Sequence, residues 1–362
     1  MRIKQVKSDI VEQLRFFRQV FLVRIIVFTH HLWLLERGFV MEESKKIYVL
    51  AFYYFTAIED PDLEVSRHQE FLSSRDVRAR TYISHQGING QMSASPEAAE
   101  EYMAWLKSDP RFAGVEFKIH YYFEHVFPRC TIKKRQQIVA LDVEVDAKDG
   151  GEHVSPMHWK EMLKNRDENT ILLDVRNEYE WKLGRFEGAE LPKLETFRQF
   201  PQYAKELKKE RDPQKTKVMM YCTGGIRCEL YSALLKKEGF EQVYQLHGGV
   251  IQYGLEEGCD GWLGKLFVFD DRLAVSISDE EEAPTIGSCY HCRVEAEAYY
   301  NCSNMDCNEL FLCCPVCAES WQGCCCETCK TAPRVRAFVA SERPKPFGRW
   351  YRYLQQKNLE PV

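Results

Sequence analysis

The sequence predicts an α/β protein in three parts: a helix-flanked antiparallel sheet, a parallel α/β domain, and a small cysteine-rich module suited to metal. Three observations carry this. Residues 47–122 run strand-helix-strand-strand-helix-strand, and residues 152–258 alternate short apolar runs with helical stretches. Eleven of the fifteen cysteines crowd into residues 289–329.

Residues 1–45 form an N-terminal extension. Its greasy stretch, Phe16 to Leu35, is broken by Arg18 and Arg24 and carries His30 and His31. It therefore falls short of the ~20 apolar residues a membrane span needs. No small-residue cleavage site follows, so it does not read as a signal peptide. It reads as an amphipathic helix, or as sequence upstream of a start at Met41, which heads Glu-Glu-Ser-Lys-Lys and a strand-like run.

From there Ile47–Phe55 reads as a buried strand, Asp62–Ser74 as a helix, and Val77–Ile83 and Gly90–Ser93 as two strands. Pro96–Ser108 is a helix and Val115–Tyr122 a closing strand. That order predicts a ferredoxin-like, or acylphosphatase-like, domain over residues 46–149. Gly150-Gly151 reads as a hinge into a domain spanning 150–275, where Ser155 caps a helix with Pro156 in its first turn. Thr170–Asp174, Lys217–Tyr221 and Val243–Leu246 suit buried parallel strands, with a helix at Glu229–Glu238. The alternation predicts a doubly wound parallel sheet. Asp279–Glu282 and Pro284 mark a linker within a cysteine-rich module, 276–332, and a basic, aromatic tail occupies 333–362.

Composition is globular: 45% hydrophobic and 28% charged over 362 residues excludes a wholly disordered, collagen-like or coiled-coil chain. The net charge of −5 argues against a nucleic-acid coat. Both ends are nevertheless basic, with seven basic against three acidic residues in 1–40 and eight against two in 330–362. A local patch of that kind suffices to grip a polyanion. Clustered rather than scattered cysteines favour a metal site in a reducing cytoplasm over disulfides.

The most informative segment is Tyr221-Cys222-Thr223-Gly224-Gly225-Ile226-Arg227-Cys228-Glu229. A strand ends at Tyr221 and a helix starts near Cys228, so the intervening N–H groups can converge on the Cys222 sulfur at a helix's positive end. Paired glycines permit that path, and Arg227 adds a cation at the rim. Such surroundings lower a thiol pKa and stabilise a thiolate or persulfide anion. Cysteine phosphatases use a longer loop, so this smaller bowl suits a single extra sulfur or oxygen atom. The bland alternative makes Cys222 a buried small hydrophobe. Cys228 is either a resolving thiol or a packing residue on the first helical turn.

Leu172-Leu-Asp-Val-Arg176 and the Cys222–Arg227 loop resemble the rhodanese superfamily. A narrower match lies in Ser155-Pro156 with Trp159, Asp174-Val-Arg-Asn-Glu-Tyr-Glu180, Gly184-x-Phe186-x-Gly-Ala189 and Cys222-Thr-Gly-Gly-Ile-Arg-Cys-Glu229. Gln245–Tyr253, Phe267–Arg272 and Gly87-Ile-Asn-Gly90 extend it over about residues 46–330. These strings resemble the bacterial rhodanese-like tRNA uridine hydroxylases. The resemblance implies a rhodanese-like central fold and an oxygen-dependent hydroxylation of wobble uridine 34, in the tRNA anticodon loop, to 5-hydroxyuridine. Cys222 is then essential and molecular oxygen the co-substrate. Two positions depart from the family pattern, Gln86 and Gln91, where an acid and a threonine are usual.

From the residues alone, a sulfurtransferase carrying sulfane sulfur as a Cys222 persulfide is the alternative. A zinc-supported RNA-binding protein with a vestigial loop is a third reading, opposed by the intact Cys222–Arg227 loop. No flavin or nicotinamide fingerprint occurs: Gly87-Ile-Asn-Gly90 lacks the third glycine and the following helix, and reads as a tight turn or an anion-binding turn. Asp174 and Arg176 sit at a strand's C-terminal end, where open α/β sheets place their sites, but they read rather as an ion pair or cap that shapes the neighbouring loop. His247 reads as a proton donor or a turn residue. Glu178 and Glu180 read as solvated helix residues.

In the module, Cys289-x2-Cys292, Cys302-x4-Cys307, Cys314-x2-Cys317 and Cys326-x2-Cys329 form four pairs, enough for two structural zinc ions. Cys313, Cys324, Cys325 and His291 leave the ligand set ambiguous; an iron–sulfur cluster and a metal-free thiol store are the rivals. So polar a segment buries little core, and metal binding supplies folding free energy of about 10 kcal/mol per site. The tail interleaves Arg349, Arg352 and other cations with Phe347, Trp350, Tyr351 and Tyr353, while Arg129, Lys133, Lys134 and Arg135 form a second basic group. Cations for phosphates and rings for unstacked bases suit single-stranded RNA, against the alternative of a solvated tail.

Overall fold

The computed structural model describes residues 46–194 and 196–339. The N-terminal extension with Met41, and the tail with Arg349 and Arg352, lie outside the described residues.

The first domain builds β1 (Ile47–Phe55), α1 (Pro61–Leu72), β2 (Val77–Ser84), β3 (Gly87–Ala94), α2 (Pro96–Ser108), β4 (Glu116–Tyr122) and β5 (Thr131–Lys134). Asp60 caps α1 and Ser95 caps α2, each followed by a proline in the first turn. The sheet order β4-β1-β3-β2-β5 is the expected ferredoxin-like arrangement with one added strand, β5, lying parallel to β2. Gly87-Ile-Asn-Gly90 is the start of β3 rather than a turn. The turn is His85-Gln86, and Gly87 enters the strand at φ +138°.

Alternation along these strands decides what each face does. Leu50, Phe52, Ile88, Met92, Phe117 and Ile119 pack under α1 and α2. Ala51 and Phe55, on the opposite face of β1, pack into the cores of the second domain. Tyr53, Asn89, Gln91 and Lys118 share the parity of that second face.

The second domain comprises β6 (Glu152–Val154), α3 (Pro156–Lys164), β7 (Thr170–Asp174), α4 (Glu178–Trp181), β8 (Gly184–Phe186), α5 (Phe200–Glu210), β9 (Lys217–Tyr221), α6 (Ile226–Lys237), β10 (Gln242–Leu246) and α7 (Gly249–Glu257). Its parallel sheet runs β6-β10-β9-β7. Ile171, Leu173, Val218 and Met220 face α5 and α6, while Leu172, Met219 and Tyr221 face α3 and α7, so helices cover both faces. Gly150-Gly151 is packed rather than hinge-like. The Gly151 N–H donates to Ser232 Oγ at 2.8 Å, and a Cβ there would meet the Val243 carbonyl at 2.5 Å.

The remainder forms β11 (Trp262–Gly264), which pairs with β8, then β12 (Leu266–Phe267) with β13 (Ala274–Val275), and β14 (Tyr299–Asn301) with β15 (Leu310–Leu312). Short helices α8 (Pro315–Ser320) and α9 (Glu327–Lys330) complete the cysteine-rich module, whose small core consists largely of cysteines. Among the described residues, no helix is long and apolar enough to cross a membrane.

Candidate functional site

Cys222 follows the last residue of β9, and α6 begins at Ile226, two residues earlier than the sequence suggested. The helix's positive end is correspondingly closer to the sulfur. Gly225 turns the chain at φ +99° and donates its N–H to Cys222 Sγ at 3.1 Å. Burial alone would raise the thiol pKa. The Cys228 thiol, the Arg227 charge and the N–H groups of Cys228 and Arg227 outweigh it and bring Cys222 down from about 9 to about 6. Cys228 is pushed the other way, by burial and by its hydrogen bond to Cys222. It is a neutral donor to a thiolate neighbour.

The loop is braced from behind by Gly248-Gly249, both at positive φ. A Cβ on Gly249 would lie 2.6 Å from the Cys222 carbonyl and 2.7 Å from Gly225 N. Only glycine allows that approach. The next two N–H groups, of Val250 and Ile251, donate to the carbonyls of Cys222 and Thr223 at 3.0 Å.

Arg227 is not a cation at the rim. It is 3% exposed and donates to both carboxylate oxygens of Glu180, at 2.6 and 2.8 Å, and to Thr223 Oγ1 at 3.0 Å. Thr223 in turn donates to Glu180 at 2.9 Å. Glu180 is therefore no solvated helix residue: it is fully buried, and Arg227 holds it ionised against the burial penalty. Its signal in the sequence was the capping box Asn177-x-x-Glu180, which turns this side chain inward over the first turn of α4.

Asp174 and Arg176 form a fully buried two-pronged ion pair, joined by the Tyr221 hydroxyl at 2.7 Å from Asp174 and by the Gly184 carbonyl at 2.6 Å from Arg176. Arg176 also lies over the Tyr221 and Trp262 rings. This pair ties β7, β8 and β9 together beneath the loop, the ion-pair reading of the sequence. His247 is half-exposed and pairs with Glu116 of β4 at 3.0 Å; it is not among the residues lining the cavity described next.

That cavity, of about 300 Å³, lies over the cysteine loop. Thr223, Gly224, Ile226 and Arg227 form its floor, and the first domain supplies Tyr53, Arg80, Tyr82, Asn89, Gln91 and Lys118. Of this wall the sequence had marked only the Gly87–Gly90 string and Gln91; Tyr53, Arg80, Tyr82 and Lys118 were missed, although strand parity places Tyr53 and Lys118 on the same face as Asn89 and Gln91. Tyr53 fastens the two halves: its hydroxyl donates to Glu229 Oε1 at 2.7 Å, and His153 holds the same carboxylate at 3.1 Å. Arg129, Lys133, Lys134 and Arg135 are exposed along β5 and its flanks. Lys134 pairs with Asp62, and Arg135 lies 4.7 Å over the ring of Tyr82, which lines the cavity.

In the module, the sulfurs assemble as Cys289, Cys292, Cys314, Cys317 and as Cys302, Cys307, Cys325, Cys329, each set within 4.8 Å. The first pair joins the third and the second joins the fourth, so the two groups interleave. The expected Cys326 is replaced by Cys325. Cys326 is exposed at the start of α9, whereas the Cys325 sulfur lies 3.7 Å from both Cys307 and Cys329. His291 stacks on Trp321 and meets the Cys324 carbonyl, outside both groups. A tetrahedral ion with bonds of ~2.3 Å needs sulfurs about 3.8 Å apart, so either group can hold a single metal ion.

Three family models match in sequence order: a UPF0176 acylphosphatase-like domain over residues 47–138, a rhodanese-like domain over 158–256, and a "Rhodanase C-terminal" region over 263–330. A Protochlamydia amoebophila protein named tRNA uridine(34) hydroxylase is 56% identical over 315 residues, covering 87% of this chain and 98% of that one. Proteins of the same name from Chlamydia caviae and Chlamydia pneumoniae are both 54% identical, over 88% and 84% of this chain and 96% and 94% of theirs. Among solved structures, a rhodanese-like domain from Anabaena is 19% identical, covering 31% of this chain and 78% of that one, at a TM-score of 0.26. At that identity and coverage of the curated relatives, this chain belongs to the tRNA uridine(34) hydroxylase family.

Proposed function

We infer that this protein hydroxylates uridine at the wobble position, 34, of tRNA to 5-hydroxyuridine, with Cys222 as the reactive group and molecular oxygen as co-substrate. The observation that carries the reading is a thiolate-forming Cys222 in a loop whose following residues, Thr223, Gly224, Ile226 and Arg227, floor a cavity walled by both domains, in a chain of this family. A target base inside a folded anticodon loop must leave its stack to reach such a cavity. The exposed cations along β5, with Arg349 and Arg352 in the tail, are the proposed grip on the RNA backbone, and the cytoplasm is the proposed compartment. The two cysteine groups are proposed to hold one structural zinc ion each, whose contribution is folding free energy rather than chemistry. Sulfurs this close together suit one ion per group better than a multi-iron cluster.

The alternative is sulfur transfer through a Cys222 persulfide, favoured by the shortness of the loop. One experiment separates them: nucleoside mass spectrometry of tRNA from cells lacking the gene, complemented with wild type or Cys222→Ser. Hydroxylation predicts that 5-hydroxyuridine derivatives return only with wild type. Their persistence in the deletion strain, with no redundant route, returns Cys222 to the sulfurtransferase reading.

A further inference from the structure

Lys118 is the unexplained charge in this site. It stands on β4 opposite Ala51, on the sheet face that meets the second domain. It is 5% exposed and lines the cavity over the cysteine loop. Among the described residues no carboxylate or carbonyl takes its ammonium; its contact is the face of the Tyr53 ring, at 5.1 Å. Its stem runs along the turn that braces the loop, since a Cβ on Gly248 would come within 3.2 Å of Lys118 Cε. Burial depresses its pKa, while Glu116, Cys222 and Glu229 favour its charge. A buried, unpaired ammonium is costly, and a bound partner removes that cost.

The rest of the lining says what kind of partner fits. Tyr53, Tyr82, Phe269, Ile138, Val139 and Ile226 make the walls apolar and aromatic, and no carboxylate is among the lining residues. The other two cations there are occupied: Arg80 donates to the Phe269 carbonyl at 2.9 Å, and Arg227 is held by Glu180. One free cation among rings suits a flat heterocycle with carbonyl oxygens better than a phosphate, which calls for several donors.

We propose that Lys118 is a catalytic residue contributed by the acylphosphatase-like domain, whose ammonium binds a carbonyl oxygen of the uracil ring in the cavity floored by the Cys222 loop. The proposal rests on the function inferred above. When the Cys222 thiolate adds to C6, the S–C6 bond forms and the C5=C6 pair shifts through C4 onto O4. No electron is lost in that step, and the new negative charge sits on the oxygen beside C5. A fixed cation at O4 stabilises that charge where water is excluded.

The test uses the full chain and unmodified tRNA, with steady-state kinetics of 5-hydroxyuridine formation at several salt concentrations for wild type, Lys118→Met and Lys118→Arg. Lys118→Met is expected to lower kcat about 100-fold with KM within twofold and its salt dependence unchanged, and Lys118→Arg to recover part of the loss. Iodoacetamide labelling of Cys222 reports whether the loop is intact, and Lys118→Gln replaces Lys118→Met if the latter does not fold. Wild-type kcat in the neutral variant overturns the proposal. So does a loss confined to KM with a flatter salt dependence, which marks a phosphate contact. A wild type that forms no 5-hydroxyuridine overturns the parent function instead, and is distinguished by failing before any variant is compared.

Discussion

Arg227 and Glu180 are joined by two hydrogen bonds, at 2.6 and 2.8 Å, with neither side chain appreciably open to water. The arginine of the loop thus serves the anion indirectly: it anchors Thr223 and the first turn of α6 while its charge still reaches Cys222. Removing one member of a buried pair leaves the other uncompensated, at about 3–5 kcal/mol. Glu180→Gln should therefore lose stability of that order in urea unfolding. A loss below about 1 kcal/mol would mean that Arg227 finds water or another acceptor.

The Cys222 thiolate gives a pH prediction. Its alkylation by iodoacetamide should rise with a midpoint near pH 6, against about 9 for an ordinary thiol. Because the folded pKa is the lower one, the thiolate contributes its full stabilisation above pH 9, and that contribution is lost as pH falls through about 6. Cys228→Ala removes the donor and should move the midpoint upward, whereas Cys228→Ser retains a donor and should leave it near wild type. Hydroxylation surviving in Cys228→Ser but failing in Cys228→Ala marks Cys228 as a hydrogen-bond donor. Failure in both, with the serine midpoint unchanged, marks a resolving thiol.

Gly249→Ala tests the brace. The residue sits at φ +68°, and its Cβ would press on Cys222 O and Gly225 N, backbone atoms that cannot yield without reshaping the loop. The expected result is a raised Cys222 midpoint and a hydroxylation rate at least tenfold lower. An unchanged alkylation profile would show that the loop keeps its shape without this contact.

What the sequence conveyed, and what it did not, follows from the range of each signal. Local periodicity located β1, α2, β7 and β9 to the residue, because each is a contiguous run bounded by caps, turns or charge. The Cys222 loop was readable for the same reason: strand, glycines and helix start are adjacent in sequence. Glu180 and Lys118 were not, since a buried charge looks like a surface charge until its surroundings are known. β5 escaped because four residues ending in Lys-Lys show strand character only once β2 offers an edge. Cys325 and Cys326 are neighbours, and only the turn entering α9 decides which sulfur points inward.

That last distinction makes a metal prediction. Purified protein should carry about two equivalents of zinc, one per four-sulfur group. Cys325→Ser should reduce this to about one and destabilise the module, while Cys326→Ser should leave both. Elemental analysis showing the reverse would restore the Cys326 pairing, and the absence of metal from wild type would remove zinc from the module.

The RNA grip is the remaining test. Lys133 and Arg135 are exposed at the edge strand β5 and just beyond it, and Arg135 covers the Tyr82 ring that lines the cavity, which sets these two cations beside the site. Each phosphate contact adds about 0.7–0.9 to the slope of log affinity against log salt. Lys133→Gln with Arg135→Gln should therefore weaken tRNA binding and flatten that slope by about 1.5, while kcat at saturating tRNA stays near wild type. Arg349→Gln with Arg352→Gln makes the same prediction for the tail. A slope that falls for one pair alone assigns the backbone contacts to that region, and one that falls for neither leaves the tRNA held by surfaces other than these two.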